Sequence, residues 1–265
     1  MAMFGFIGTG NMGSALVRAA CKQVPGEQIL LSNRSPEKAQ VLAQELGCAA
    51  STNRTIAEEA EFLFLGVKPN MMAGMLSDLA PTLSARKDTF CLVTMASGLT
   101  IREIQEMAGG AYPVIRIMPN TPASIGEGMI LYDASAEVTP AHLDRFLTAM
   151  SGAGRFTRLE EHLIDAGACV SGCGPAFVDL FIEALADAGV ACGLPRPTAL
   201  ELAAQMTAGS ARLVLESGQH PGALKDAVCS PGGTTIQGVR ALERCGLRSA
   251  VMEAVIAAYE KTVNP

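Results

Sequence analysis

The sequence has no tryptophan, few other aromatic residues and no excess of positive charge. Aromatic residues make up 5% of its 265 residues, whereas 49% are hydrophobic and 27 are glycine. We therefore expect a core of Ala, Leu, Val, Ile and Met, whose small side chains suit closely packed helices. The formal net charge of −6 argues against a nucleic-acid partner or an anionic membrane surface.

Metal ligands and export signals are also lacking. The eight cysteines contain no Cys-x-x-Cys pair, and the three histidines have no ligand spacing with one another or with the cysteines. We therefore expect no metal site. No apolar run reaches the ~20 residues of a membrane-spanning helix, and no basic leader precedes the first apolar run. These absences predict a cytoplasmic protein with free thiols and no membrane partner.

A glycine-rich motif directly follows the first apolar run. Residues 3–7 are too few for a helix and are typical of a buried strand, and residues 14–20 have helical character. Between them lies the G-x-G-x-x-G motif of dinucleotide-binding domains, formed by Gly8, Thr9, Gly10, Asn11, Met12 and Gly13. We expect Gly8 to make a tight turn, Gly10 to let the backbone approach a pyrophosphate, and Gly13 to allow close helix–strand packing.

The turn after the second predicted strand, residues 28–32, indicates the cofactor. Sites that prefer NAD usually place Asp or Glu there, to hold the ribose 2′-hydroxyl. This chain has Asn33, Arg34 and Ser35. Neutral donors and a guanidinium favour a 2′-phosphate. We therefore predict NADPH as the cofactor, with NADH as the alternative.

Strands and helices continue to alternate through the first half. Apolar runs at residues 62–67, 90–95 and 114–118 predict further buried strands, and residues 126–132 predict the last one. Thr100 and Glu103 have the spacing of a capping box. Ligands of doubly wound sheets lie beyond the carboxyl ends of the strands. The turns there are candidate cofactor contacts, and they contain Val67, Lys68, Pro69, Ala96, Ser97, Gly98 and Asn120.

The second half is helical and unusually apolar. Helices are predicted at residues 160–170, 176–189, 198–217, 224–228, 236–244 and 249–259. These helices are apolar on more than one face, which predicts a homo-oligomer, most simply a homodimer with interleaved helices. Asp179, Glu183 and Asp187 form one stripe at i, i+4 and i+8, which we interpret as a solvated face rather than a metal site.

Residues 228–237 predict an anion site at a helix start. Thr234 and Gln237 have the spacing of a capping box, and Gly232 and Gly233 precede them. A glycine turn that leads into a helix gathers unpaired N–H groups and the positive end of the helix dipole, which suits a small anion. A plain helix cap is the alternative interpretation.

Over its whole length the chain resembles the Δ1-pyrroline-5-carboxylate reductase family. The resemblance rests on residues 6–13, 67–69, 96–98, 118–122, 171–176, 225–226 and 230–235, of which the last run is the most specific. It implies an α/β fold in which a Rossmann-type doubly wound sheet is followed by an all-α dimerisation domain, and an assembly that is a homodimer or a decamer of five dimers. It also implies that the protein reduces 1-pyrroline-5-carboxylate to L-proline with NADPH or NADH. We place the NADP-binding domain at 1–157 and the helical substrate-binding and dimerisation domain at 158–265.

The resemblance implies roles for individual residues. Asn33, Arg34 and Ser35 match the site of the 2′-phosphate, and Asn53 resembles a further contact at that end of the cofactor. The loop that would hold the substrate carboxylate contains Ser230, Gly232, Gly233, Thr234 and Thr235. Thr235 matches the threonine near the ring nitrogen and is the predicted catalytic residue. The family usually has Ser at position 173 and often at 229, where this chain has Cys173 and Cys229.

Two other functions stay open. A β-hydroxyacid dehydrogenase has a similar plan, but its chemistry needs a base, which in that family is a lysine in the first helices of the tail. No lysine occurs between Lys87 and Lys225, which argues against this function. A non-enzymatic NADP(H) sensor is the other alternative, and the intact run 230–235 argues against it.

Overall fold

The computed structural model describes residues 2–264 and consists of two compact units. One unit comprises Met1–Gly172 together with Lys261–Pro265, and the other comprises Cys173–Glu260. Within the described residues, all strands belong to the first unit, and the second is helical. The predicted fold class, a doubly wound α/β sheet followed by an all-α region, is therefore confirmed.

The first unit is built on one eight-stranded sheet. Its strands are β1 Ala2–Ile7, β2 Ile29–Ser32, β3 Ala49–Ala50, β4 Ala60–Leu65, β5 Cys91–Thr94, β6 Val114–Met118, β7 Gly128–Ala134 and β8 Gly154–Arg158. Their order is β3–β2–β1–β4–β5–β6–β7–β8. The pairs from β3 to β6 are parallel, whereas β7 is antiparallel to β6 and parallel to β8. The strand order reverses between β1 and β4, which is where doubly wound sheets bind ligands.

Seven helices belong to the described part of the first unit and cover its sheet. They are α1 Asn11–Ala20, α2 Pro36–Leu46, α3 Asn53–Glu59, α4 Pro69–Ala85, α5 Ile101–Ala108, α6 Pro140–Ala149 and α7 Glu161–Ser171. Alternate strand residues point to opposite faces, so the sheet has two buried clusters. One contains Phe6 and Phe64, whose rings stack with centroids 4.2 Å apart, and the other contains Leu63 and Leu92.

The sequence prediction gave no bounds for four strands or α-helices of this unit. Three of them, β3, α3 and β8, are short or carry few buried side chains, and the fourth is the longer helix α4. The prediction that residues 126–132 form the last strand is wrong, because β8 follows β7 and pairs with it. β8 has the sequence Gly-Arg-Phe-Thr-Arg and is partly exposed, so no apolar run marks it. The predicted domain limit after residue 157 lies within this strand, and α7 beyond it packs with the first unit.

The second unit buries little apolar surface. Its helices are α8 Gly174–Ala191, α9 Arg196–Ser217, α10 Pro221–Ala227, α11 Thr234–Arg244 and most of α12 Leu247–Val263. The buried cluster between α8 and α9 contains only Ala186, Ala199 and Ala203 among its described buried residues. Many large apolar side chains are exposed, including Leu180 at 67% and Leu215 at 66%. Helices this exposed need a further surface to cover them.

Gly189 was predicted to end a helix, and this is wrong. α8 continues to Ala191, and Gly189 lies inside it. A Cβ at Gly189 would be 3.1 Å from the Cβ of Ala199 on α9, so this glycine allows the two helices to approach closely. The glycine is therefore required by helix packing rather than by helix termination.

The acidic stripe on α8 lies beside an open groove of about 850 Å³. Asp179, Glu183 and Asp187 line this groove, and Asp187 forms an ion pair with Arg196 at the start of α9. Within the described residues, no group of three or more His, Cys, Asp or Glu side chains is arranged to hold a metal ion. The stripe is thus partly paired across the two helices.

One stretch of the described chain, Glu161–Ala191, is long and apolar enough to cross a membrane by length and composition alone. Our expectation that no apolar run reaches this length is therefore wrong. The stretch comprises α7 and α8, and only 6% of its most apolar window is buried. Length and composition are weak evidence for a membrane span, since helices that associate with a partner have the same properties.

Candidate active site

The turn from β1 to α1 has the geometry expected of the glycine motif. Gly8 has a φ of 104°, and a Cβ there would overlap the carbonyl oxygen of Gly66 on the neighbouring strand's turn. A Cβ at Gly13 would overlap the carbonyl oxygen of Gly8, whereas Gly10 has open space around it. Gly8 and Gly13 are therefore required by the fold, and Gly10 leaves the backbone accessible to a ligand.

This turn also has polar groups that fit a dinucleotide. Gly10 is the N-cap of α1, and no side chain caps the helix there. The hydroxyl of Ser14 donates to the carbonyl oxygens of Thr9 and Gly10, which fixes the loop. Within the described residues, the buried Oγ1 of Thr9 has no hydrogen-bond partner. An unpaired buried hydroxyl and an uncapped helix start are suited to phosphate oxygens.

Strand register brings the predicted cofactor residues to one edge of the sheet. Ile7 pairs with both Ser32 and Leu65, Leu65 pairs with Thr94, and Thr94 pairs with Arg116. The turns that follow these strands therefore leave the sheet together. They contain Gly8 to Gly13, Asn33, Arg34, Ser35, Val67, Lys68, Pro69, Ala96, Ser97, Gly98 and Asn120. Direct contact of each residue with the cofactor stays a prediction.

A cleft of about 490 Å³ lies beside the end of β2. Asn33 and Asn53 both line it, and the Oδ1 of Asn53 accepts a hydrogen bond of 2.6 Å from the hydroxyl of Ser32. Arg34 and Ser35 are exposed, and Ser35 is the N-cap of α2 without a side-chain cap bond. An exposed guanidinium next to an uncapped helix start fits a 2′-phosphate.

Asn120, the predicted contact after β6, is buried and has structural partners. Its Nδ2 donates to the carbonyl oxygen of Ser171 at 2.9 Å, and its Oδ1 accepts from the backbone N–H of Met129, also at 2.9 Å. Asn120 therefore connects the turn after β6 to the end of α7. One hydrogen of its amide is left for the predicted cofactor contact.

The turn after β5 leads into a helix whose start is capped twice. Thr100 accepts from the N–H of Glu103, and Glu103 accepts from the N–H of Thr100, so the predicted capping box is confirmed. The hydrogen bond from the Thr100 backbone lowers the pKa of Glu103. In addition, Glu161 of α7 accepts from the N–H of Ile101 at 2.6 Å.

Arg116 and its partners were not recognised from the sequence. Arg116 lies on β6 with 2% of its side chain exposed, and it pairs with Asp165 at 2.6 Å and with Glu161 at 3.6 Å. A buried guanidinium requires such partners, because an unpaired charge in the interior is costly. The arginine within the apolar run 114–118 was the available signal.

The predicted carboxylate loop contains a tight turn followed directly by α11. The N–H of Gly233 donates to the carbonyl oxygen of Ser230 at 3.0 Å, and Gly232 has a φ of 71°. Pro231 and Gly232 thus occupy the two central positions of a type II turn, for which they are the preferred residues. A Cβ at Gly233 would overlap the Ser230 hydroxyl, so Gly233 allows that hydroxyl to lie over the helix start.

The capping box predicted for Thr234 and Gln237 is wrong. Gly233 is the N-cap of α11, Thr234 is its first residue, and no side chain caps the helix. The type II turn leaves Gly233 extended, with φ −73° and ψ 172°, so the helix starts one residue earlier than a Thr234 cap requires. The first-turn amides of Thr234 and Thr235 have no acceptor within the helix, which strengthens the case for an anion site.

An ion pair and a cysteine precede this loop in the sequence, and a second cysteine lies at the start of α8. Lys225 and Asp226 form an ion pair of 2.7 Å, which raises the pKa of Lys225 and keeps this lysine charged. Cys229 is half-buried beside Ser230, and Cys173 is exposed at the N-cap of α8 without a cap bond. A thiol is a weaker hydrogen-bond donor than a serine hydroxyl at either position.

The chain matches two family models. Residues 161–264 match the family described as pyrroline-5-carboxylate reductase dimerisation. Residues 3–93 match the family described as NADP oxidoreductase, coenzyme F420-dependent. The two matched segments correspond to the exposed helices and to the glycine loop with the first strands.

Individual relatives match along nearly the full length. The pyrroline-5-carboxylate reductase of Escherichia coli is 43% identical over 261 residues, which are 97% of this chain and 96% of the relative. The crystal structure of pyrroline carboxylate reductase from Plasmodium falciparum with NADP bound has a TM-score of 0.87 and 32% identity, covering 98% of this chain and 97% of that one. The structure of a pyrroline-5-carboxylate reductase from Coxiella burnetii has a TM-score of 0.89 and 32% identity, covering 99% and 98%.

Proposed function

The chain belongs to the pyrroline-5-carboxylate reductase family, and on that premise we propose that it reduces 1-pyrroline-5-carboxylate to L-proline with NADPH. The resemblance found in the sequence is thereby confirmed. The observation that carries the proposal is that α11 starts directly after the turn of Ser230 to Gly233 and has no side-chain cap. The start of α1, which directly follows the glycine loop, has no side-chain cap either. The first feature suits a carboxylate, and the second suits a dinucleotide.

Ser230, Gly232, Gly233, Thr234 and Thr235 hold the substrate carboxylate in this proposal. Because the N–H of Gly233 already donates to Ser230, the amides of Thr234 and Thr235 are the main backbone donors. The positive end of the α11 dipole adds to their attraction for an anion. The Ser230 hydroxyl, which lies over Gly233, is a further donor at the same point.

Thr235 is the proposed catalytic residue. In the protonated imine, the ring N–H donates a hydrogen bond to the hydroxyl oxygen of Thr235, which holds the proton there. A protonated C=N bond is already a good hydride acceptor, so the chain has to supply orientation more than acid–base catalysis. Orientation of two reactants can account for ~7–11 kcal/mol of a barrier.

The cofactor residues are assigned to the turns at the carboxyl edge of the sheet. When bound, NADPH supplies the hydride. Gly10 and Thr9 hold the pyrophosphate, with the N–H groups at the start of α1 as donors. Asn33, Arg34, Ser35 and Asn53 hold the adenosine end, and the exposed guanidinium favours NADPH over NADH.

The family that matches residues 161–264 is described as a dimerisation family, and the helices of the second unit expose large apolar side chains. Both observations support a homo-oligomer. We infer a homodimer, with a decamer of five dimers as the larger alternative, in the cytoplasm and without nucleic-acid or membrane partners. The mass in solution tests this assembly, and a stable monomer at micromolar concentration would contradict it.

The function is tested by following NADPH oxidation when 1-pyrroline-5-carboxylate is added, with NADP and a 3-hydroxy acid as the control pair. Thr235→Ala should lower turnover by about ten-fold or more, equivalent to about 1.4 kcal/mol, while the affinity for NADPH is kept. Thr235→Ser retains the hydroxyl and should recover most of the turnover. Unchanged turnover in Thr235→Ala would remove this residue from the mechanism.

A further inference from the structure

Glu161 begins α7 but caps a different helix. Its Oε1 accepts a hydrogen bond of 2.6 Å from the N–H of Ile101, the first residue of α5, although 60 positions separate the two residues. Thr100 already accepts from the third amide of α5, and the Glu103 carboxylate is next to it. A second carboxylate therefore completes the start of this helix.

The position of Glu161 is fixed by neighbours on two strands. Arg116 of β6 lies 3.6 Å from its carboxylate and 3.5 Å from its carbonyl oxygen, and the same guanidinium pairs with Asp165 one turn later. The carboxylate of Asp133 on β7 accepts from the backbone N–H of Glu161 at 2.9 Å. Backbone and side chain of Glu161 are thus both held.

Between the buried end of β5 and this helix start lies the turn of Ala96, Ser97 and Gly98. At its beginning, the N–H of Ala96 donates to the hydroxyl of Thr94, which is fully buried. Three residues beyond Gly98 lies Ile101, which is held by Glu161. Gly98 has a φ of 73°, a conformation that favours glycine. The hydrogen bond to Glu161 therefore fixes the far end of a turn that is otherwise exposed at Ser97 and Gly98.

This turn lies on the nicotinamide side of the sheet. The glycine loop after β1 is the proposed pyrophosphate site, and β2, with the 2′-phosphate site, lies on one side of β1. β5 lies on the other side, beyond β4. A dinucleotide that crosses the switch point with its adenosine end at β2 has its nicotinamide end towards β4 and β5.

We propose that Glu161 is a positioning residue, which fixes the Ala96–Gly98 turn for the nicotinamide half of NADPH through its hydrogen bond to the Ile101 amide. The expected effect on catalysis rests on the proposed function, whereas the hydrogen bond between Glu161 and Ile101 does not depend on it. Loss of this bond leaves the adenosine end unchanged and affects the alignment that hydride transfer needs.

Amide hydrogen exchange tests the structural link without any cofactor. Exchange at Ile101 should become about ten-fold faster in Glu161→Ala, because the amide loses a charged acceptor. Glu160→Ala is the matched control, since Glu160 is the preceding residue, is 81% exposed and makes no cap bond. Glu161→Gln retains an acceptor oxygen and should restore protection. Unchanged exchange at Ile101 in Glu161→Ala would overturn the proposal.

Kinetics test the positioning role. Glu161→Ala should lower kcat by about ten-fold, with the KM for NADPH changed by less than about two-fold. The primary deuterium isotope effect, measured with NADPH deuterated at the transferred position, should rise because hydride transfer becomes slower relative to the other steps. Loss of folded protein alone would lower the apparent kcat without changing the isotope effect. Faster exchange at Ile101 combined with a normal kcat and isotope effect would also overturn the proposal.

Glu161→Asp is the second variant, in case Glu161→Ala does not fold. It keeps the charge that Arg116 needs but withdraws the carboxylate from Ile101 by one methylene. It should show the same changes in exchange and isotope effect to a smaller degree, and their absence would count against the proposal. If the wild-type protein does not oxidise NADPH with the imine, the proposed function fails, while the exchange experiment still tests the link between Glu161 and Ile101.

Discussion

Gly10 offers the sharpest test of the nucleotide site, because the structure separates its role from those of Gly8 and Gly13. Its φ of −71° and ψ of −170° are allowed for alanine, and a Cβ there meets nothing within 4 Å. Replacing Gly10 by alanine lowers the conformational entropy of the unfolded chain, which stabilises the folded protein by about 0.4–1 kcal/mol. The same replacement removes a favoured N-cap residue, which destabilises the folded protein by a similar amount. The stability without ligand should therefore stay within about 1 kcal/mol of the wild type.

Binding of NADPH should respond very differently. The added methyl group lies on the surface that a pyrophosphate has to approach, so we expect affinity to fall by about ten-fold, or about 1.4 kcal/mol. At a concentration of about 100 times the wild-type Kd, NADPH stabilises the wild type by about 2.7 kcal/mol, and ten-fold weaker binding reduces this to about 1.4 kcal/mol. The rise in Tm on adding NADPH should therefore be about halved.

Thermal unfolding with and without NADPH, together with a direct titration of NADPH, measures both quantities. Gly13→Ala is the matched control, because its Cβ would overlap the Gly8 carbonyl oxygen and force a shift of the backbone. It should lose about 1–3 kcal/mol before any ligand is added. Wild-type affinity in Gly10→Ala, or a loss of stability as large as that of Gly13→Ala, would refute the assigned role of Gly10.

Two further predictions concern the cofactor preference and the pH dependence of stability. Arg34→Glu should raise the KM for NADPH far more than that for NADH, because a carboxylate repels the 2′-phosphate; equal effects in steady-state assays would contradict the assignment. The lowered pKa of Glu103 contributes stability that is fully present above its ordinary value of 4.5 and is lost as the pH falls through the depressed folded value. Urea unfolding at several pH values should therefore show that Glu103→Gln costs most above pH 4.5 and progressively less below it, and a cost independent of pH would rule this contribution out.

Much of the first unit could be predicted from local patterns. β1, β2, β4, β5 and β6 are short apolar runs bounded by turn residues, and the Thr100–Glu103 capping box depends on residues three positions apart. The element β8 could not be predicted in this way, because its pairing with β7 rather than its own composition makes it a strand. The role of Gly189 could not be predicted from the sequence either, because the glycine is needed for close packing against Ala199 of α9 and not for helix termination.

The sequence by itself determined the chemistry available to this protein: a glycine loop after the first strand, no acidic residue after the second, and a hydroxyl-rich glycine turn at residues 230–235. These features are local, so neighbouring residues suffice to define them. The tertiary structure decided which groups of these motifs are free to bind a ligand and which are held by neighbouring residues. Gly233 rather than Thr234 caps α11, and Glu161 contacts Ile101 across 60 positions while it is held by a buried arginine on β6 and by Asp133 on β7. Such contacts depend on strand order and burial, which no local pattern encodes.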